Sequence, residues 1–154
     1  MIYPNNFEQK IGFDQIRHIL GGRCLSTLGK DKVEDMQFSA EKDEVIRRLD
    51  EVAEFVRIIQ EEDTFPYQYF FDVRPALQRA SIVGMYMDEG ELFDLRRSLE
   101  TISQIILFLR RNDIEEENET SKYPRLEVLA AEVQSFPNLI RRIDGIVNKY
   151  IPAE

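Results

Sequence analysis

The chain has 154 residues, 43% of them hydrophobic and 32% charged, with a formal net charge of −9. That length suits one domain, and the apolar share excludes wholesale disorder. Seven glycines and six prolines are too few for the many turns of an all-β fold, and so acidic a surface argues against nonspecific nucleic-acid binding by this chain alone.

From Pro4 to Leu20 the pattern is helical but broken near Gly12, with Phe13, Ile16, Ile19 and Leu20 able to share a face. Gly21 and Gly22 fit a helix C-terminus, where positive φ is often needed. A shorter helix is expected from about Ser26 to Met36, with Leu28, Val33 and Met36 on its apolar side. Gly29 lies inside it at a cost of roughly 1 kcal/mol relative to alanine, which a close helix approach can offset. Ser39 is the expected N-cap of a helix from Ala40 to Glu62. There Val45, Leu49, Val52, Val56 and Ile59 are spaced four, three, four, three, a helical stripe expected to pack inward, and Phe55 and Ile58 widen it.

The next stretch, "FFDVRPALQRASIVGMYMDEGEL", is the least ordinary in the chain. Phe65, Tyr67, Tyr69, Phe70 and Phe71 crowd a segment interrupted by Pro66. No basic residue lies between Thr64 and Asp72 to hold phosphates, so aromatic packing is favoured over a base-stacking platform. Pro75 fits the first turn of a short helix. Asp72 is placed to cap that helix or to pair with Arg74. After the turn containing Gly84, Asp88 stands at an N-cap and Glu91 follows three residues later, an acidic capping box. Met87 and Leu92 occupy the two positions of a hydrophobic staple.

The helix so started carries Leu92, Leu95, Leu99, Ile102, Ile106 and Leu109 at alternating spacings of three and four, a packing seam expected to run to about Arg111. "DIEEENETSK", from Asp113 to Lys122, is an acidic break expected to be mobile. Two shorter helices are expected after it, Arg125 to Ser135 and Asn138 to Tyr150. Leu126, Leu129, Ala130 and Val133 form the stripe of the first, and Leu139, Ile143, Ile146 and Val147 that of the second. The whole reads as all-α: a multi-helix bundle with one long central helix, in a single domain.

The sequence carries few marks of chemistry. "GGRCLSTLGK" has the wrong glycine spacing for a phosphate loop, and Asp31 follows Lys30 where Ser or Thr should bind magnesium. His18 is the only histidine and has no companion at metal spacing. Cys24 is the only cysteine, so no internal disulfide forms and a reducing compartment is expected. Asn118-Glu119-Thr120 matches a glycosylation acceptor without a secretory signal. No apolar run approaches the ~20 residues needed to span a bilayer. The arginine pairs Arg47-Arg48, Arg96-Arg97, Arg110-Arg111 and Arg141-Arg142 lie beside acidic residues and read as solvated, internally paired helix faces. The chain is expected to be soluble and cytoplasmic, without membrane contact. No catalytic, cofactor or metal residue is assigned; Asp72, Arg74, Pro75, Gly84, Asp88 and Glu91 are taken as a structural motif.

"FDVRPALQRA", then Gly84 and "MDEGELFDLRRSL", resemble the N-terminal helical core of the MutS family, in its second bacterial subfamily, the Smr-nuclease-containing type. "IGFDQIRHILGGRCLSTLGKDKVEDM" is similar to that subfamily's opening helices, with Phe13, Asp14, Ile16, Leu28 and Gly29 at matching places. Met87 stands where the family commonly has leucine, a tolerable swap. The resemblance implies a piece of a larger protein, one that continues into a lever helix, a clamp, an ATPase domain and often an Smr-type nuclease domain. ATP and Mg, a homodimer, and action on branched DNA, recombination intermediates or stalled ribosomes are then expected of the full-length protein. This segment would need no cofactor, would not itself be an enzyme, and would have the rest of its own chain as its partner. A stand-alone helical interaction adaptor is the alternative.

Overall fold

A computed structural model of the chain describes residues 6–110 and 121–150. All eight elements among the described residues are α-helices, so the fold is all-α. The chain divides into two compact units, Met1–Phe38 and Ser39–Glu154, where composition suggested one domain. Arg111 and residues 113–120 of the acidic break, including Asn118 to Thr120, lie outside the described residues.

The first unit holds α1 (Phe7–Ile11), α2 (Phe13–Arg23) and α3 (Thr27–Glu34). Gly12 separates the first two at φ 74°, and its N–H donates back to the α1 carbonyls. Gly21 and Gly22 do not end α2: it runs on to Arg23. Among the described glycines only Gly12 and Gly84 have positive φ, and the Cys24 thiol closes the last turn on the Leu20 carbonyl at 3.3 Å. Ser26 caps α3, its hydroxyl accepting from Gly29 N–H at 3.2 Å. The expected close approach at Gly29 is present, because a Cβ there would sit 3.3 Å from Cys24 Cβ. The expected apolar face of α2 is not buried, with Ile16 and Ile19 more than half exposed.

Polar bonds organise this unit in place of a core, since no residue of α1, α2 or α3 is buried. Arg17 is their centre. Its guanidinium pairs with Glu8 at 2.8 Å and donates to the carbonyls of Val33, Glu34 (3.2 Å) and Met36 (2.9 Å). It thus ties α2 to the carbonyls at and just past the end of α3. Phe7 and Phe38 meet edge to face at 5.9 Å.

The second unit holds α4 (Lys42–Glu61), α5 (Arg74–Ala80), α6 (Glu89–Leu109), α7 (Pro124–Ala131) and α8 (Pro137–Tyr150). α6 is the long helix the seam predicted. It packs on α7 and α8, while α4 packs on α7. Ile58, Ile106, Phe108, Leu109, Tyr123 and Ala130 form the core, flanked by Phe65, Ile102, Ile105 and Leu126. Rings run through it in sequence, Phe55 to Phe65 to Phe108 to Tyr123, with centroids 5.4, 5.2 and 6.2 Å apart.

Two sequence expectations for α4 fail. Glu41, not Ser39, is its N-cap and provides no side-chain cap bond. Ser39 instead bonds the Glu44 carboxylate and accepts from Glu41 N–H, and with Arg48 holds the Glu44 carboxyl below its ordinary value. The stripe Val45, Leu49, Val52, Val56 and Ile59 faces outward, Leu49, Val52 and Ile59 being 62, 61 and 67% exposed. Glu54 and Ile58 are buried on the opposite side. The carboxylate of Glu54 explains the inversion. It accepts from Arg125 N–H at 3.1 and 3.0 Å and from Leu126 N–H at 3.0 Å. Those are open donors of the first turn of α7, whose own N-cap, Tyr123, supplies no cap bond. Elsewhere the expected stripes are half realised. Ala130 and Ile143 are buried, while Leu129, Val133 and Ile146 are exposed.

Candidate functional site

The motif residues lie in one continuous segment from the aromatic connector to the start of α6. Asp72 pairs with Arg74 and is not the cap of α5, whose N-cap is Val73 and has no side-chain cap bond. Asp72 Oδ1 accepts from Arg74 N–H at 3.2 Å, at the head of α5, and its carboxylate receives Arg74 Nε at 2.8 Å and Nη2 at 2.7 Å. Pro75 occupies the first turn of α5, where its missing N–H leaves no bond unmade.

A tight turn follows. Ser81 Oγ donates to the Gln78 carbonyl at 2.7 Å, Ile82 N–H to Arg79 O at 3.1 Å and Met85 N–H to Ile82 O at 3.0 Å. Gly84 takes φ 86° within it, a value side-chain-bearing residues rarely adopt.

The capping box is complete: Asp88 Oδ1 accepts from Glu91 N–H at 2.9 Å, and Glu91 Oε2 from Asp88 N–H at 3.0 Å. Glu91 also pairs with Arg79, from the last turn of α5. That arginine, chiefly, and then the Asp88 amide hold the Glu91 carboxyl below its ordinary value. The α5–α6 elbow is therefore braced at both ends, Asp72–Arg74 at its start and Arg79–Glu91–Asp88 at its close. The partnership of Arg79 with Glu91, twelve residues apart, was not read from the sequence.

The connector lies along one ridge of α6. Thr101, buried, donates to the Gln68 carbonyl at 3.0 Å. One turn earlier, the Arg97 guanidinium lies 4.4 Å from the Tyr69 ring centre and 4.3 Å from that of Phe93. Tyr69 has φ 65°, the one non-glycine positive φ among the described residues, and stacks on Phe71 at 6.4 Å. The aromatic segment thus packs on α6, although Tyr67 remains 59% exposed.

Arg97 also corrects the reading of the arginine pairs. Arg47 pairs with Glu51, Arg48 with Glu44, and Arg96 with both Glu100 and Asp144. Arg97 stacks on rings, and Arg141 donates to the amide oxygen of Asn138 at 2.7 Å. The spacing of charges showed carboxylates nearby and not which arginine they bind.

The chemistry of this segment is that of a scaffold: ion pairs, caps and ring stacking. Among the described residues no group of three or more His, Cys, Asp or Glu side chains converges as a metal site would. Gly21, Gly22 and His18 line a shallow cleft of ≈ 470 Å³ between α2 and α3, with Asp14, Arg17, Lys30 and Glu34. Gly21 and Gly22 are helical there, so no phosphate loop forms. No described helix is long and apolar enough to cross a membrane.

No family model matches the chain, and no solved structure matches it. Curated proteins do. The chain is 24% identical over 132 residues to the Endonuclease MutS2 of Alkaliphilus oremlandii, covering 86% of this chain and 16% of that one. It is 27% identical over 135 residues to the Endonuclease MutS2 of Bacillus cytotoxicus, covering 88% and 16%. The Putative endonuclease MutS2 of Bacillus subtilis is 31% identical over 97 residues, 63% of this chain and 12% of that one. The chain thus spans about one-sixth of the length of the first two relatives. The expected resemblance is borne out: over most of its own length this chain is similar to a segment of proteins named Endonuclease MutS2.

Proposed function

We propose that this chain acts as a structural helical segment of a MutS2-like protein, the core piece that joins lever and clamp to an ATPase domain. On this reading ATP with Mg, DNA or ribosome engagement, and any nuclease action belong to the longer protein. The segment transmits movement and performs no chemistry. The observation that carries the reading is the braced α5–α6 elbow. The motif that resembles the family is built from caps, ion pairs and a turn glycine, which stiffen a joint and leave no reactive group poised. Coverage of about one-sixth of the MutS2 relatives supports the same view.

A second reading, a stand-alone helical adaptor, is favoured by one feature, the outward apolar face of α4. Antibody detection of the native gene product separates the two. A product several times the mass of this chain supports the core-segment reading, and a product of this chain's own mass overturns it for the adaptor. A purified longer product should hydrolyse ATP, whereas this chain alone should not.

A further inference from the structure

We propose that Arg97, with the aromatic connector around Tyr69, is a binding site for a carboxylate side chain of a partner protein, one set between apolar neighbours. The starting observation is how the guanidinium is held. It lies over the Tyr69 ring at 4.4 Å and over the Phe93 ring at 4.3 Å, so the rings engage its faces. Its N–H donors lie in the guanidinium plane, and among the described residues none of them has a hydrogen-bond acceptor or a carboxylate partner. Arg96, one residue earlier, pairs with Glu100 and Asp144. Asp94, three residues before Arg97 on the same helix, makes no pair with it. Arg97 is half-buried, and a charge-assisted bond gains strength where water is partly excluded.

The connector holds this arrangement in place. Thr101 donates to the Gln68 carbonyl at 3.0 Å and so fixes the chain next to Tyr69. Tyr69 itself takes φ 65°, a value that ring-bearing residues rarely adopt and glycine takes freely. Strain of that kind persists only where the surrounding structure enforces it, and it concentrates at binding sites. Here it accompanies a ring laid against the guanidinium, with Phe71 stacked on Tyr69 at 6.4 Å. An arginine so restrained has little rotamer freedom left to lose when its edge meets a ligand.

The chemistry of the site selects the ligand. A planar fork of N–H donors matches a carboxylate or a phosphate. The net charge of −9 weighs against the second. A phosphate group carries about −1.5 to −2 at pH 7, more than a carboxylate, and repulsion by an acidic chain grows with the charge of the ligand. No basic residue between Thr64 and Asp72 extends the site along a phosphate backbone. Tyr67 and Phe70, 59 and 39% exposed beside Tyr69, instead offer apolar contact to the side chains that flank the bound acid. The partner is therefore a protein segment with a glutamate or aspartate among apolar residues.

The test is NMR of the full chain, following the Arg97 Nε–H and connector amide resonances as short acetylated, amidated peptides are added to millimolar concentration. The probes carry leucine on each side of a central glutamate, glutamine or phosphoserine. The glutamate peptide is expected to shift the Arg97 resonance saturably, the glutamine peptide to leave it in place, and the phosphoserine peptide to bind more weakly than the glutamate one. Arg97→Lys keeps the charge and loses the fork, and is expected to weaken the glutamate peptide about tenfold. Tyr69→Gly takes φ 65° without strain but lacks the ring, and is expected to weaken it with the circular dichroism of the fold unchanged. An Arg97 resonance that the glutamate peptide does not move, equal binding of the glutamine peptide, tighter binding of the phosphoserine peptide, or full affinity in either variant would each overturn the proposal. Product mass decides the function proposed above and peptide binding by this chain decides this one, so the two fail separately.

Discussion

Asp88 and Glu91 are both carboxylates at the head of α6, yet they carry different loads. Asp88 satisfies one open amide, so Asp88→Ala is expected to cost about 1 kcal/mol in denaturant unfolding. Glu91 serves an amide and the Arg79 guanidinium together, and both hold its folded pKa down. A depressed acid contributes stability that is complete above its unfolded value and is lost as pH falls through the folded one. The Glu91 carboxyl should accordingly titrate below 4.5 in NMR. Arg79→Ala should move it upward; an unmoved midpoint would dissolve the brace. Ser98 behaves oppositely. It is 8% exposed and its Oγ has no hydrogen-bond partner among the described residues. An unpaired buried hydroxyl costs about 1–3 kcal/mol, so Ser98→Ala should raise the unfolding midpoint.

Among the elements, α7 depends on a residue 71 positions before its Arg125. Glu54 does for α7 what an N-cap does locally, and from inside the unit. Glu54→Ala should cost more than Asp88→Ala, about 2–3 kcal/mol, because it strands amides beside the core, with Glu54→Gln intermediate; equal losses in urea unfolding for the two alanine variants would refute the comparison. The contrast between these caps also says what a sequence can reveal. The Asp88–Glu91 box and the Asp72–Arg74 pair span four residues or fewer, so their partners are fixed by chain geometry and were legible. Glu54 with Arg125, Arg17 with Val33 and Met36, and Arg97 with Tyr69 join distant segments, and no local period records them. The stripe on α4 was legible as apolar and helical. Its direction was not, because periodicity identifies an apolar face without naming what covers it. The seam of α6 read correctly because α7 and α8 are both present to fill it.

At the scale of the whole molecule the question is what a −9 chain related to endonucleases does near DNA. Binding to a phosphate backbone draws its strength from counterions released as lysines and arginines replace them, and each such contact needs a cation free to make it. Here Arg47, Arg48, Arg57, Arg74, Arg79, Arg96 and Arg125 are paired with carboxylates of the same unit, as is Lys122. Arg17 is taken up by Glu8 and three carbonyls. Arg97 is stacked on rings and Arg141 is bound to an amide, and the cations that remain are set among 29 acidic residues, a surface that opposes a phosphate track. At near-physiological salt the isolated chain should therefore show no measurable affinity for duplex or branched DNA in a fluorescence-anisotropy titration, whereas the longer protein it is proposed to belong to should bind. The decisive contrary result is a complex of this chain alone that weakens steeply with salt and is lost in Arg97→Ala or Arg141→Ala, since only a phosphate-binding face would respond to both.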